Sequence, residues 1–175
     1  DAFSPVIRNA SSLCVDGFAT LHGFGLCSFD VTGAYLQGKP REGKEVLAIP
    51  PVGFREVDER GVKILWLLLV PLYGGATSGC DWNHTFNEFT TDPPPRGLGY
   101  NRCFNEPCVY GKDIGTERAQ VITLYVDDGR CYYKDTPAGR GAFEKNKAAL
   151  EKRFDIQFNE PNPESNYFLG RNRTT

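Results

Sequence analysis

Three aspartates carry the chemistry that this chain is equipped to do. Asp127 and Asp128 sit side by side in the run V-I-T-L-Y-V-D-D-G-R-C-Y-Y over residues 121–133, and Asp30 closes the distant run Leu26-Cys27-Ser28-Phe29-Asp30. Carboxylates from two separate segments can gather divalent cations. Mg²⁺ prefers octahedral oxygen coordination, takes one or two protein carboxylates and leaves substrate phosphates to complete its shell. Two such ions about 3.5–4 Å apart stabilise the attacking and leaving oxygens of an in-line phosphoryl displacement. The same letters admit a plainer reading. Asp-Gly between β-formers is a strong hairpin signal, so Asp128-Gly129 can be a type I′ turn with Asp127 its solvated neighbour.

These acids need elements to carry them. Residues 24–31 read as a strand delivering Asp30, and the β-prone runs on either side of Asp127 and Asp128 read as a hairpin. Strands are also expected over 45–49, 63–70, 108–112 and 119–126, the apolar 63–70 being buried. A helix from Ser78 to about Thr90 places Trp82, Phe86 and Phe89 on one face and is stopped by Asp92-Pro93-Pro94-Pro95. A second helix spans about Arg140 to Phe154 with Phe143, Lys147, Leu150 and Phe154 on one side, and a short one capped at Ser11-Ser12 runs to Leu21.

With the order of these pieces in view, the chain resembles the reverse transcriptases of copia-type LTR retrotransposons. Phe29-Asp30-Val31-Thr32-Gly33-Ala34-Tyr35-Leu36-Gln37-Gly38 is similar to that family's first polymerase motif, and Tyr125-Val126-Asp127-Asp128 looks like its YVDD box. Between them Leu72-Tyr73-Gly74, Ser78-Gly79 and Trp82 match a third segment. Phe3-Ser4-Pro5-Val6-Ile7-Arg8, Pro50-Pro51-Val52-Gly53-Phe54, Glu106-Pro107-Cys108-Val109-Tyr110 and Tyr167-Phe168-Leu169-Gly170 follow the family's order over nearly the whole chain.

The resemblance implies an α+β fold: an antiparallel-sheet polymerase palm with helices packed on one face and partial fingers. It implies a single domain over 1–175, with 1–25 leading from fingers to palm and a fingers portion inserted at about 40–70. It implies catalytic Asp30, Asp127 and Asp128, which with the carbonyl of Val31 would hold two Mg²⁺ or Mn²⁺ ions. Tyr35, Gly74 and Tyr125 are the implied substrate contacts, Tyr35 being placed to crowd the sugar 2′ position, although spacing alone equally allows a core aromatic. The implied partners are an RNA template, a DNA primer and deoxynucleotides. A strand at Tyr167–Arg171 would grip the primer end, and a lysine in the second helix would protonate leaving pyrophosphate.

Departures from the family pattern support an alternative, a catalytically idle, retroelement-derived domain kept as a structural or protein-interaction subunit. Ala76-Thr77 and Cys80 followed by Asp81 stand where the family carries Lys-Gln and an arginine, and its upstream basic strand is missing. A net charge of −2 with a pI near 5.7 is awkward for holding a duplex, since cationic side chains supply most non-specific affinity. Six basic residues against three acidic ones between 134 and 153 only partly offset it.

At 175 residues and 40% hydrophobic, the chain can bury one sizeable core. No apolar run reaches membrane-spanning length. Six cysteines without a C-x-x-C pair, beside two histidines, argue against zinc. Reduced thiols are expected rather than a Cys103–Cys108 disulfide, with an intracellular location or an organelle reached through a removed transit peptide. Without a methionine, the sequence is expected to be a piece of a longer or processed polypeptide.

Overall fold

The computed structural model describes residues 3–159 and the backbone of two short strands beyond them. Its frame is a six-stranded antiparallel sheet of order β4-β5-β6-β7-β1-β8, formed by β1 (Phe24–Val31), β4 (Asn101–Arg102), β5 (Val109–Lys112), β6 (Gln120–Tyr125), β7 (Asp128–Lys134) and β8 (Ile156–Asn159). Strand β1 lies between β7 and β8, pairing Phe24 to Asp30 with Lys134 to Asp128 on one side and Ser28 to Val31 with Asn159 to Ile156 on the other. This is the α+β, antiparallel palm that the sequence implied.

Alternation along β1 divides its side chains between the two faces of the sheet. Cys27, Phe29 and Val31 join a core with helices α2 (Ser78–Thr91) and α3 (Pro137–Arg153), in which Trp82, Phe86 and Phe154 meet at ring separations of 5.4–5.8 Å. Each fully buried aromatic of this kind contributes about 1.5–3 kcal/mol. The apolar face predicted for α2 is therefore the face that docks, with Trp82 and Phe86 buried and Phe89 partly so. Helix α1 (Asn9–Leu21) lies on the other face, where Ala19 and Val15 touch Leu26, Val121 and Tyr132. Asp16 of α1 accepts from the buried Arg130 at 3.0 Å and from the Tyr132 hydroxyl at 2.9 Å, which staples the helix to β7.

Four expectations need correction. Helix α1 starts at Asn9, and Ser12, which donates its backbone N–H to the Arg8 carbonyl, is buried inside it and caps nothing. Helix α3 begins three residues before Arg140, because Thr136 accepts from the Gly139 N–H and Pro137 fits the first turn, where its missing N–H leaves no gap. Of the run 63–70 only β3 (Trp66–Leu67) is a strand, paired with β2 (Leu47–Ala48), and it is not buried: Trp66 is 45% exposed and Leu69 77%. A two-stranded ribbon has no second layer to cover it. Strand β8 was not anticipated, being only Ile156-Gln157-Phe158-Asn159, although its in-out alternation is legible.

Beyond β8, β9 (Asn166–Phe168) and β10 (Arg171–Arg173) pair antiparallel. Leu169 and Gly170 of the expected Tyr167–Arg171 strand lie outside the described residues.

Candidate active site

The hairpin between β6 and β7 closes on Val126-Asp127, with Tyr125 opposite Asp128. The turn is thus not Asp128-Gly129, as the residue types suggested. Val126 carries the positive φ of 58°, a value that a β-branched residue rarely adopts. Two contacts hold it there: the indole N–H of Trp82 donates to the Val126 carbonyl at 2.6 Å, and the Val31 N–H donates to the Asp127 carbonyl at 3.0 Å. Gly129, released from the turn, lies in β7 opposite Phe29, whose ring fills the place a side chain would take. Register, rather than turn preference, fixes the tip.

That register lines up one row across four strands: Tyr125, Asp128, Asp30 and Gln157. They share the face opposite α2 and α3, and the next row is Thr123, Arg130, Ser28 and Asn159. Like charges directly opposite each other destabilise a sheet. Burial, then the Asp127 carboxylate, then that of Asp30, push Asp128 above the ordinary aspartate range. None of the three acids forms an ion pair among the described residues. Among those residues no three His, Cys, Asp or Glu side chains form a ready-made metal cage. The donor set fits instead a hard cation that shares its shell with substrate oxygens, since Mg²⁺ is usually held by one or two carboxylates plus phosphates.

A family model described as reverse transcriptase (RNA-dependent DNA polymerase) matches residues 1–172. The chain belongs to that family. It is similar to the retrovirus-related Pol polyprotein from transposon TNT 1-94 of Nicotiana tabacum, 27% identical over 157 residues that make up 90% of this chain. The chain spans 11% of that polyprotein's length. Together these place it with the copia-type retrotransposon reverse transcriptases. No solved structure matches it.

In this reverse transcriptase domain Tyr35 sits in a 3-10 turn (Ala34–Gln37) just after β1, half-buried, its ring 4.9 Å from that of Tyr73. Gly74 is exposed in the loop entering α2, with a φ of 84° that favours glycine. Tyr125 is exposed at the end of the row of acids. Asp81, in the first turn of α2, is buried and accepts from Arg41 at 2.7 Å.

Two residues of the matched motifs have positioning roles that the sequence does not reveal. Trp82 belongs to the third segment and to the apolar face of α2, and its N–H carries no periodicity signal. Gln37 donates from its amide nitrogen to the carbonyls of Thr32 and Asp155 and accepts the Asp155 N–H at 2.8 Å, tying the segment after Asp30 to the turn before β8. A close approach completes the frame: a Cβ on Gly38 would lie 3.1 Å from the Trp82 backbone nitrogen, so any other residue there would have to push this loop a few tenths of an ångström off α2.

Proposed function

We propose that this domain performs template-directed nucleotidyl transfer, extending a DNA primer on an RNA template. The observation that carries the reading is the facing pair Asp30 and Asp128, with Asp127 at the adjoining turn. Opposed carboxylates without a cationic partner weaken a sheet and make sense where a cation joins them.

Asp30 and Asp127 would hold the divalent ions with the Val31 carbonyl, and Asp128 would add to the negative potential with at most partial coordination. Bound there, Mg²⁺ or Mn²⁺ would acidify the primer 3′-hydroxyl and offset charge on the departing pyrophosphate. The protein's own work is placement. The Val126-Asp127 tip is fixed by Trp82 and Val31, so the acids need little reorganisation as charge develops. Tyr35, backed by Tyr73, crowds the sugar 2′ position, and Tyr125 and Gly74 border the bound substrates.

Primer extension on an RNA template tests this directly. Asp127→Asn abolishes extension while the far-ultraviolet circular dichroism stays native; full activity in that variant contradicts the proposal.

The exposed apolar ribbon favours a second reading, an idle domain that docks on another protein: Leu47, Phe54, Trp66 and Leu69 are all more than two-fifths exposed. A folded wild-type domain that binds no divalent cation and extends no primer supports that reading instead.

A further inference from the structure

A cavity of about 290 Å³ lies at the end of the sheet remote from the acids, between α3, the residues after α2 and the ends of β5 and β6. Gln120 opens β6 there while Asp127 follows its far end, a separation of roughly 20 Å at the rise of a strand. The cavity belongs to no part of the polymerase reading.

Its floor is a polar network with one loose end. The Gln120 side-chain oxygen accepts from the Tyr100 hydroxyl at 2.8 Å and from the Asn146 amide at 3.0 Å, and Asn146 donates to Tyr100 as well. These two donors fix which way the Gln120 amide points. Its nitrogen, on a residue only 2% exposed, has no hydrogen-bond partner among the described residues. A buried donor left unpaired destabilises the fold, so the position calls for an acceptor.

The walls carry a surplus of positive charge. Lys112, Arg118 and Lys145 line the cavity against one carboxylate among the described residues, Asp113. Lys112 donates to the Leu98 carbonyl at 2.6 Å and is held below the ordinary lysine range, first by burial and then, against the pull of Asp113, by Lys145 and Arg118. Lys112 therefore feels both of the other cations. Arg118 and Lys145 are exposed and free to swing toward an occupant.

We infer that this cavity binds a small phosphate-type oxyanion, with the Gln120 amide nitrogen on its floor and Lys112, Arg118 and Lys145 as its cationic walls. An anion supplies the acceptor that Gln120 lacks, and charge-assisted hydrogen bonds from lysine and arginine are about twice as strong as neutral ones. A volume this small suits a free phosphate or a nucleotide's terminal phosphate rather than a macromolecular segment.

The test is an ¹⁵N–¹H NMR titration of the wild-type domain with inorganic phosphate, and in a second arm with a nucleoside 5′-monophosphate, at constant ionic strength. Saturable shifts of the Gln120 side-chain NH₂ and of the backbone amides of Arg118, Gln120 and Asn146 are expected. Saturation by phosphate alone identifies the free anion; saturation only by the nucleotide identifies its terminal group. Gln120→Glu, which keeps the oxygen that Tyr100 and Asn146 need and turns the donor into a negative charge, weakens binding at least tenfold. Lys145→Gln, on the surface and harmless to folding, weakens it several-fold. Shifts that never saturate in either arm, or affinities unchanged in both variants, overturn the inference and leave an ordered water as the acceptor.

Discussion

The indole of Trp82 and the carbonyl of Val126 meet at 2.6 Å, a bond from the middle of the core to the tip of the acidic hairpin. Through it α2, a helix on one face of the sheet, sets the backbone from which Asp127 projects. Trp82→Phe keeps most of the aromatic packing and removes only this donor. It should destabilise the domain by about 1 kcal/mol in urea unfolding, the net contribution of a hydrogen bond to this half-buried carbonyl. It should also weaken Mn²⁺ binding several-fold, an effect that simple core loosening far from the acids, as in Leu150→Ala, does not reproduce.

Gly129 is a packing glycine. Its partner across the ladder, Phe29, is 1% exposed, and its ring occupies the space where a Cβ would stand. Gly129→Ala must push Phe29 out of place, and the expected loss is about 1–3 kcal/mol. A Gly115→Ala control, in an open loop where an added Cβ meets nothing within 4 Å, should lose less, its cost coming from the φ of 87° alone. Equal losses at the two positions would refute the account of Gly129.

This hairpin shows where the sequence was legible and where it was not. The strand 24–31, the docking face of α2 and the adjacency of Asp30 to the Asp127-Asp128 pair were readable, because alternation, helical spacing and motif order survive in one dimension. The turn was misplaced by two residues. Asp-Gly is the better turn by residue type, but pairing Phe29 with Gly129 and Tyr125 with Asp128 forces the bend onto Val126-Asp127. The run 63–70 failed for a related reason: hydrophobicity predicts burial only where a second layer exists, and among the described residues nothing covers Leu47, Trp66 and Leu67 of the β2–β3 ribbon, all more than two-fifths exposed. Bonds such as Trp82 to Val126 or Gln37 to Asp155 depend on register between distant segments and leave no local trace.

The exposure of that ribbon is open to a direct optical check. Trp66 is 45% exposed and Trp82 1%. Iodide should quench one tryptophan component of the native domain, and Trp66→Phe should remove it and leave a blue-shifted, unquenchable emission from Trp82. A blue, protected Trp66 would show the ribbon covered.

Glu106 links the chain's opening segment to the loop before β5. Burial raises its carboxyl, but hydrogen bonds from Ser11 and Arg8 outweigh this and hold it below the ordinary value of 4.5. Because the folded state gives up this proton more readily than the unfolded one, stability is fully present above pH 4.5 and is lost as pH falls through the folded value. Melting midpoints recorded against pH should therefore drop on acidification, and Glu106→Gln should flatten that portion of the curve. An identical slope in the variant would assign the acid lability to other groups.

Asp30 and the Asp127-Asp128 hairpin together make the proposed divalent-cation centre, and the most direct measurement of it is an electron paramagnetic resonance titration of the metal-free domain with Mn²⁺. Saturable binding to the wild type is expected, at least tenfold weaker in both Asp30→Asn and Asp127→Asn while each variant melts no lower than the wild type. Mn²⁺ affinity unchanged by both substitutions would contradict it.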